Sequence, residues 1–320
     1  METHTPRTLL DAVRYFKDPD VCLRFMIALR WPDGVVKCPI CGSEKVHFLA
    51  NQRRWKCSVN HDRRQFSIKV GTIFEDSPLG LDKWLPAVWL LTNCKNGISS
   101  YEVAKDLGVT QKTAWFMDHR IRKAMQRGSF WTKMEGEIEA DESFIGGLAR
   151  NMHKDKKAKI TGTGGSGKAI VMGLLDRHTR EIRVKHVPNT QRSTLQAEVR
   201  AHVEEGSEVF TDAWIAYEGL DHDYVHSVID HAETYVKGKI HTNGIENFWS
   251  LLKRGLKGTY ISVEPFHLFR YLDEQAFRYN NRQTDDGSRF TRTLSQVVGR
   301  RVTYKQLIGK DEPPTTAFVQ

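Results

Sequence analysis

Glu137-Ile138-Glu139-Ala140-Asp141, followed by Phe144-Ile145-Gly146-Gly147, is the stretch on which the fold turns. It reads as a strand ending on an acid. Outward from it the chain alternates strand and helix, the pattern of an α/β domain. Residues 169–175 are an apolar run fit for a central strand, and residues 181–187 fit another. Residues 190–204 read as a helix, and 208–210 as a short strand that ends at Asp212, just before Ala213-Trp214. Residues 244–256 and 265–279 have helical spacing. The stretch 152–168 is basic, then Gly-rich, and reads as a loop. The tail after Gln283 is charged and Thr-rich, with no firm structure to be assigned.

The Gly-rich run from Gly162 to Lys168 imitates a phosphate-binding loop. Its eighth position, where a Ser or Thr should hold magnesium, is Ala169, and it precedes a strand instead of following one. ATPase chemistry is therefore excluded.

Upstream, Cys38-Pro39-Ile40-Cys41-Gly42 is a knuckle turn in which two thiolates face one ion. Cys57 and His61 complete a Cys3His set suited to structural zinc, with His47 as a competing imidazole. Arg53, Arg54, Trp55, Lys56, Arg63 and Arg64 surround it. Cys22 and Cys94 lie on apolar helical faces and read as core. Residues 81–126 read as helices. Ser99 and Glu102 form a capping box, Gly108 breaks the first helix and Thr110 caps the next. On that second helix Ala114, Met117, Ile121 and Met125 share one face, while Lys112, Trp115, His119, Arg122 and Gln126 share the other. A Gly turn followed by a helix with a basic outer face predicts a helix-turn-helix that meets a DNA groove. The plainer alternative is a helical hairpin with a solvated cationic side.

Composition agrees with a nucleic-acid partner. The 320 residues carry 48 Lys+Arg against 39 Asp+Glu, a formal charge of +9. At 39% hydrophobic and 10% aromatic the chain is not disordered. No apolar run reaches the ~18 residues of a membrane span, and the N-terminus lacks a secretory pattern. A cytoplasmic protein without membrane contact is expected.

Asp141 and Asp212 sit at strand ends, where carboxylates can meet and hold magnesium. On the helix from Gly244, Ile245, Phe248, Trp249, Leu252 and Leu256 form a narrow apolar stripe. Glu246 lies at its edge, and Lys253 falls within about 20° of Glu246, two turns on. The other reading of Glu246 is a solvated glutamate.

In combination these motifs, with His241-Thr242-Asn243-Gly244-Ile245-Glu246, Gly71-Thr72-Ile73-Phe74 and His267 to Leu272, resemble the DDE-type transposases of the insertion-sequence-1595 (ISXO2-like) family. The resemblance runs from about Phe25 to Arg282. It implies an RNase H-like catalytic domain, dependence on Mg²⁺ (or Mn²⁺), and strand cleavage and transfer on double-stranded DNA, at both transposon ends and target. It implies Asp141, Asp212 and Glu246 as the acidic triad, Lys253 as the associated base, and Asn243 as a rival or supporting residue. The expected layout is a helical segment and zinc ribbon (1–76), a helix-turn-helix domain (77–132), the catalytic domain (133–285) and a tail (286–320). Paired-end chemistry makes a homo-oligomer the expectation. Two other readings share the same modules: a domesticated DNA-binding regulator without catalysis, and an RNase H-fold nuclease that cuts without joining.

Overall fold

The computed structural model describes residues 4–126, 132–147, 154, 165–212, 215–229, 242–261 and 263–310. The chain divides into two units, residues 1–126 with 281–320, and residues 127–280.

In the first unit α1 (Leu9–Tyr15) and α2 (Pro19–Arg30) are separated at Asp18, which caps α2 by accepting the Asp20 amide at 2.8 Å. Proline at the first helical position has no amide hydrogen to leave unpaired. The strands β1 (Val46–Leu49), β2 (Arg54–Cys57) and β3 (Gln65–Phe66) form a small antiparallel sheet. Its core is aromatic: Trp55 stacks on Phe66 at 5.7 Å and meets Trp31 edge-on at 6.0 Å. Next come α3 (Leu81–Asn93), α4 (Ser100–Leu107) and α5 (Gln111–Met125). The Ser99–Glu102 capping box forms, Gly108 takes the left-handed conformation at φ +61° that ends α4, and Thr110 caps α5.

The segment after Gln283 is not structureless. Residues Asp286–Ser295 form a helix, named α9 below, and Tyr304–Leu307 a short one, α10. Phe290 of α9 fills a cage made by Phe16, Phe25 and Trp89 (centroids 5.6, 6.1 and 5.3 Å). Arg289 Nε donates to Asn93 Oδ1 at 3.0 Å. Further on, the backbone at Val297 and Gly299 bonds to Ile73 and Gly71. These late residues complete the core built by α1, α2 and α3.

One sequence expectation fails here. His119 and Arg122, expected on a solvated outer face of α5, are 0% and 1% exposed. Trp115 and Gln126 are half-buried, and Lys112 alone of the five is exposed. The reason is that α5 is packed on several sides, by α3, α4, α9 and α10. Residues 300–304 also run along it. Arg120 donates to the Val302 carbonyl at 3.0 and 3.1 Å, Arg300 to the Lys123 carbonyl at 2.8 Å, and Tyr304 meets Phe116 edge-on.

The second unit is built on a five-stranded sheet of β4 (Glu137–Ile145), β5 (Ala169–Asp176), β6 (Ile182–Val187), β7 (Glu208–Asp212) and β8 (Val225–Ile229). Its order is β6-β5-β4-β7-β8. The β4–β5 and β5–β6 pairs are antiparallel, while β4–β7 and β7–β8 are parallel. This mixed topology is compatible with the RNase H-like domain that the resemblance implies. Helices α6 (Arg192–His202), α7 (Asn243–Gly255) and α8 (Leu268–Asn280) pack on it. The period-2 alternation of a strand divides β4 between two cores. Ile138 and Ala140 join Met172, Leu174, Val209, Leu195 and Val199 on the α6 side. On the other side Val171, Leu175 and Ile182 meet Ile245, Phe248, Trp249 and Leu252 of α7. The apolar stripe read from the sequence is thus the buried face of α7.

Most of the stretch 152–168, with Ala213, Trp214 and His241, lies outside the described residues. Strand β5 does begin at Ala169, so the Gly-rich run leads into a strand. Among the described residues no helix is long and apolar enough to cross a membrane.

Candidate active site and metal centre

Strands β4 and β7 run parallel, with Glu137 paired to Glu208, Ile138 to Val209 and Glu139 to Phe210. The pairing ends at Glu139 and Phe210; two residues beyond it on each strand stand Asp141 and Asp212, on the sheet face covered by α7. By strand alternation both acids project to that face, and the charge of Asp212 is felt at Asp141. Asp141 pairs across its other edge with Gly173. A Cβ at Gly173 would stand 2.8 Å from the Trp249 ring, so glycine there leaves room for the indole beside Asp141. Trp249 Nε1 donates to Asp141 Oδ2 at 2.9 Å, and the Glu142 amide donates to Oδ1 at 2.8 Å.

Burial pushes the Asp141 carboxyl up to about 6, and the charges of Asp212 and Glu246 add to the rise against the pull of the Trp249 and Glu142 N–H groups. Three carboxylates from β4, β7 and α7 therefore share one electrostatic environment. Glu246 is exposed in the first turn of α7 and accepts the Thr242 hydroxyl at 3.2 Å. Asn243 is exposed at the first position of the same helix, and Lys253 is exposed in its last turn.

Two neighbours of the acids gave no signal in the motif reading. Glu142, on the opposite face of β4, accepts the buried Tyr217 hydroxyl. Burial pushes the Glu142 carboxyl up to about 8, Asp141 and Asp212 push the same way, and the Tyr217 hydrogen bond opposes them. Glu139, two residues before Asp141 and on the same face, is 0% exposed. Strand alternation alone would have placed it beside Asp141.

In the other unit the expected zinc ligands converge. The Sγ atoms of Cys38, Cys41 and Cys57 and a ring nitrogen of His61 all lie within 4.8 Å of one another. Cys38 Sγ stands 3.5 Å from His61 Nε2, and Cys41 Sγ 3.6 Å from Cys57 Sγ. A tetrahedron with Zn–S bonds of about 2.3 Å has edges of roughly 3.7 Å, so the donor set fits zinc. His47 is exposed on β1 opposite Lys56 and takes no part. His61 Nδ1 donates to the Asp62 carbonyl at 2.6 Å, which leaves the Nε2 lone pair for a metal. At Cys38 burial opposes ionisation, but the amides of Cys41 and Ile40 and the neighbouring thiols bring its pKa down to about 7. Burial pushes the Cys57 thiol up. Of the remaining cysteines, Cys22 is buried with its thiol on the Phe16 carbonyl and Cys94 is half-buried.

Both sites overlap regions that match known domain families. Residues 133–280 match the ISXO2-like transposase domain, and residues 17–59 match the transposase zinc-ribbon domain. The chain belongs to the insertion-sequence-1595 (ISXO2-like) transposase family. It is 35% identical over 96 residues (30% of this chain, 77% of the relative) to an uncharacterised transposase-like protein of Haemophilus influenzae. It is also 28% identical over 239 residues (71% of this chain, 80% of the relative) to an uncharacterised protein in the transposable element ISH50 of Halobacterium salinarum. The transposase-domain match contains Asp141, Asp212, Glu246 and Lys253, whereas His61 lies two residues beyond the zinc-ribbon match.

Proposed function

We propose that this transposase binds the terminal inverted repeats of its element and performs divalent-metal-dependent strand cleavage and strand transfer at Asp141, Asp212 and Glu246. The observation that carries this reading is that Asp141 and Asp212 lie at equal steps beyond the last pair of two adjoining parallel strands, on the face covered by the helix that bears Glu246. Carboxylate oxygens from three elements are a hard donor set suited to Mg²⁺ or Mn²⁺. Bound there, such ions supply Lewis-acid stabilisation to the entering and leaving oxygens of an in-line displacement at phosphorus.

The chain's own residues do the rest. Trp249 and the Glu142 amide fix the Asp141 carboxylate, and Thr242 orients Glu246. Lys253, exposed on the same helix, acts as a point charge for a phosphate, and Asn243 supports the site as a neutral ligand or donor. The zinc ribbon, with its exposed Arg53, Arg54, Lys56 and Arg63, and Lys112 of α5 hold the DNA duplex through its phosphates. The protein works as a homo-oligomer on paired ends, in the bacterial cytoplasm at the nucleoid.

The test is an assay with duplexes carrying the element's own ends, a target duplex, and Mg²⁺ or Mn²⁺. The expected product is the joined strand, lost in Asp212→Asn. Robust joining that survives Asp212→Asn overturns the assignment. Nicks without joined product would indicate a nuclease, and sequence-specific binding with neither would indicate a regulator.

A further inference from the structure

Helix α7 starts in an unusual way. Thr242 stands at its N-cap, yet its side chain makes no capping bond to the helix backbone. The hydroxyl is turned to Glu246 instead. The first four amides of any helix lack partners within it, and here the Ile245 amide donates at 2.8 Å to Oε2 of Glu139, a side chain of β4. The other oxygen of Glu139 accepts Arg177 Nε at 3.0 Å, and the Arg177 guanidinium lies 3.5 Å over the Phe210 ring of β7. Arg177 also reaches Glu137 at 3.5 Å. A Cβ at Gly244 would meet Glu139 Oε2 at 2.9 Å and Leu175 Cδ2 at 2.4 Å, so glycine at that position gives the carboxylate access to the helix end.

We propose that Glu139, held by Arg177, is a positioning residue for the acidic site: it caps α7 from strand β4 and so sets Glu246 against Asp141. This rests on the reading of those acids as the reactive centre. The spacing carries the argument. Glu139 and Asp141 are separated by one two-residue strand repeat, about 6.6 Å. Their partners on α7, Ile245 and Trp249, are separated by four residues of helix, about 6 Å. The matched steps make a two-point clamp, Glu139 to the Ile245 amide and Asp141 to the Trp249 indole, which holds α7 in one register along β4. Glu246 follows Ile245 directly, so the first point of the clamp sets its place. A buried ion pair kept only for stability is poorly explained, because apolar residues of similar volume often serve as well or better. The cap also leaves Thr242 to the Glu246 carboxylate instead of the helix backbone.

The experiment uses the full-length, zinc-loaded protein and compares wild type with the double variant Glu139→Leu/Arg177→Met and the single variant Gly244→Ala. The double variant replaces the pair by apolar volume and leaves Asp141, Asp212 and Glu246 in place. Three readouts are taken: amide hydrogen exchange over residues 243–249, Mn²⁺ affinity from the spectrum of the free ion, and kcat and KM for cutting end-bearing DNA. The expected result is a cooperatively folded double variant whose α7 first turn loses protection, whose Mn²⁺ affinity falls about tenfold or more, and whose kcat falls while KM for DNA holds. Unchanged protection with unchanged Mn²⁺ affinity overturns the proposal. If the double variant fails to fold, Gly244→Ala decides by the same criteria, since its added methyl displaces the clamp with the charges intact. If wild type binds Mn²⁺ at the acids but neither cuts nor joins DNA, the transposase reading fails, while exchange and affinity still judge the clamp.

Discussion

The zinc ribbon and the acidic site are both metal-centre candidates, built by opposite strategies. In the ribbon four donors from 24 residues of chain lie within 4.8 Å of one another. Short turns bring them together, and Gly42 at φ +72° lets the first knuckle close. In the acidic site, three carboxylates from residues 141, 212 and 246 depend on a completed sheet and a docked helix. There Trp249 and the Glu142 amide hold Asp141 and the Thr242 hydroxyl meets Glu246, while the charges of Asp212 and Glu246 push the Asp141 carboxyl up. The lesson is that a structural site can be encoded locally, whereas a reactive one tolerates mutual repulsion and needs supports that make no contact with substrate.

The comparison is broken most severely at the ribbon. Cys57→Ser, or removal of zinc by a strong chelator, should unfold the β1–β3 sheet, because structural zinc binding carries about 10–16 kcal/mol in small modules. Metal content and near-ultraviolet circular dichroism from Trp31 and Trp55 would report it, and His47→Ala should leave both unchanged. Next in size is Glu246→Gln, which should lower the end-cleavage rate by about 10³-fold, roughly 4 kcal/mol, without altering zinc content. A rate near wild type would place the third ligand elsewhere, with Asn243 first in line.

Asp141→Asn sharpens the contrast at smaller cost. The Asp141 carboxyl is raised to about 6 by burial and by its acidic neighbours. Stability from its protonated form is present below the ordinary carboxylate pKa and lost as pH rises through about 6. In EDTA at pH 8 the amide should therefore raise Tm, by about 2–4 °C, while abolishing cleavage. A lower Tm at pH 8 would mean that the carboxylate is needed for folding. The smallest effect is expected at Lys112, exposed on α5: Lys112→Ala should flatten the salt dependence of DNA binding by about one counterion. An unchanged slope would remove α5 from the DNA interface.

Legibility followed the same division. The ribbon could be read from Cys38, Cys41, Cys57 and His61, because spacing alone nearly fixes a knuckle site. Asp212 at the end of its strand and the stripe on α7 were readable from periodicity, whereas Asp141, expected to end a strand, lies in the middle of β4, because the chain stays paired with β5 as far as Ile145. The C-terminal helix was not: α9 buries only Gly287, Phe290, Thr293 and Leu294, too little apolar sequence to separate it from a polar tail. Strand β8 escaped because Val225-His226-Ser227-Val228-Ile229 is short and edge-lying, with Val225 and Val228 exposed. His119 and Arg122 misled, since cationic spacing on a helix cannot reveal that packing covers it. Glu139 was hidden by proximity to the stronger motif acid two residues away.

The central claim, that Asp141, Asp212 and Glu246 converge on one divalent-ion site, is tested most directly by iron-directed backbone cleavage. Fe²⁺ would replace Mg²⁺ in the zinc-loaded protein, with ascorbate and peroxide to generate hydroxyl radicals at the bound ion. The account expects three clusters of cuts, near residues 141, 212 and 246, all competed away together by excess Mg²⁺ and all lost together in Asp212→Asn. Cuts near one of these positions alone, or cuts that disappear independently of each other, would contradict it.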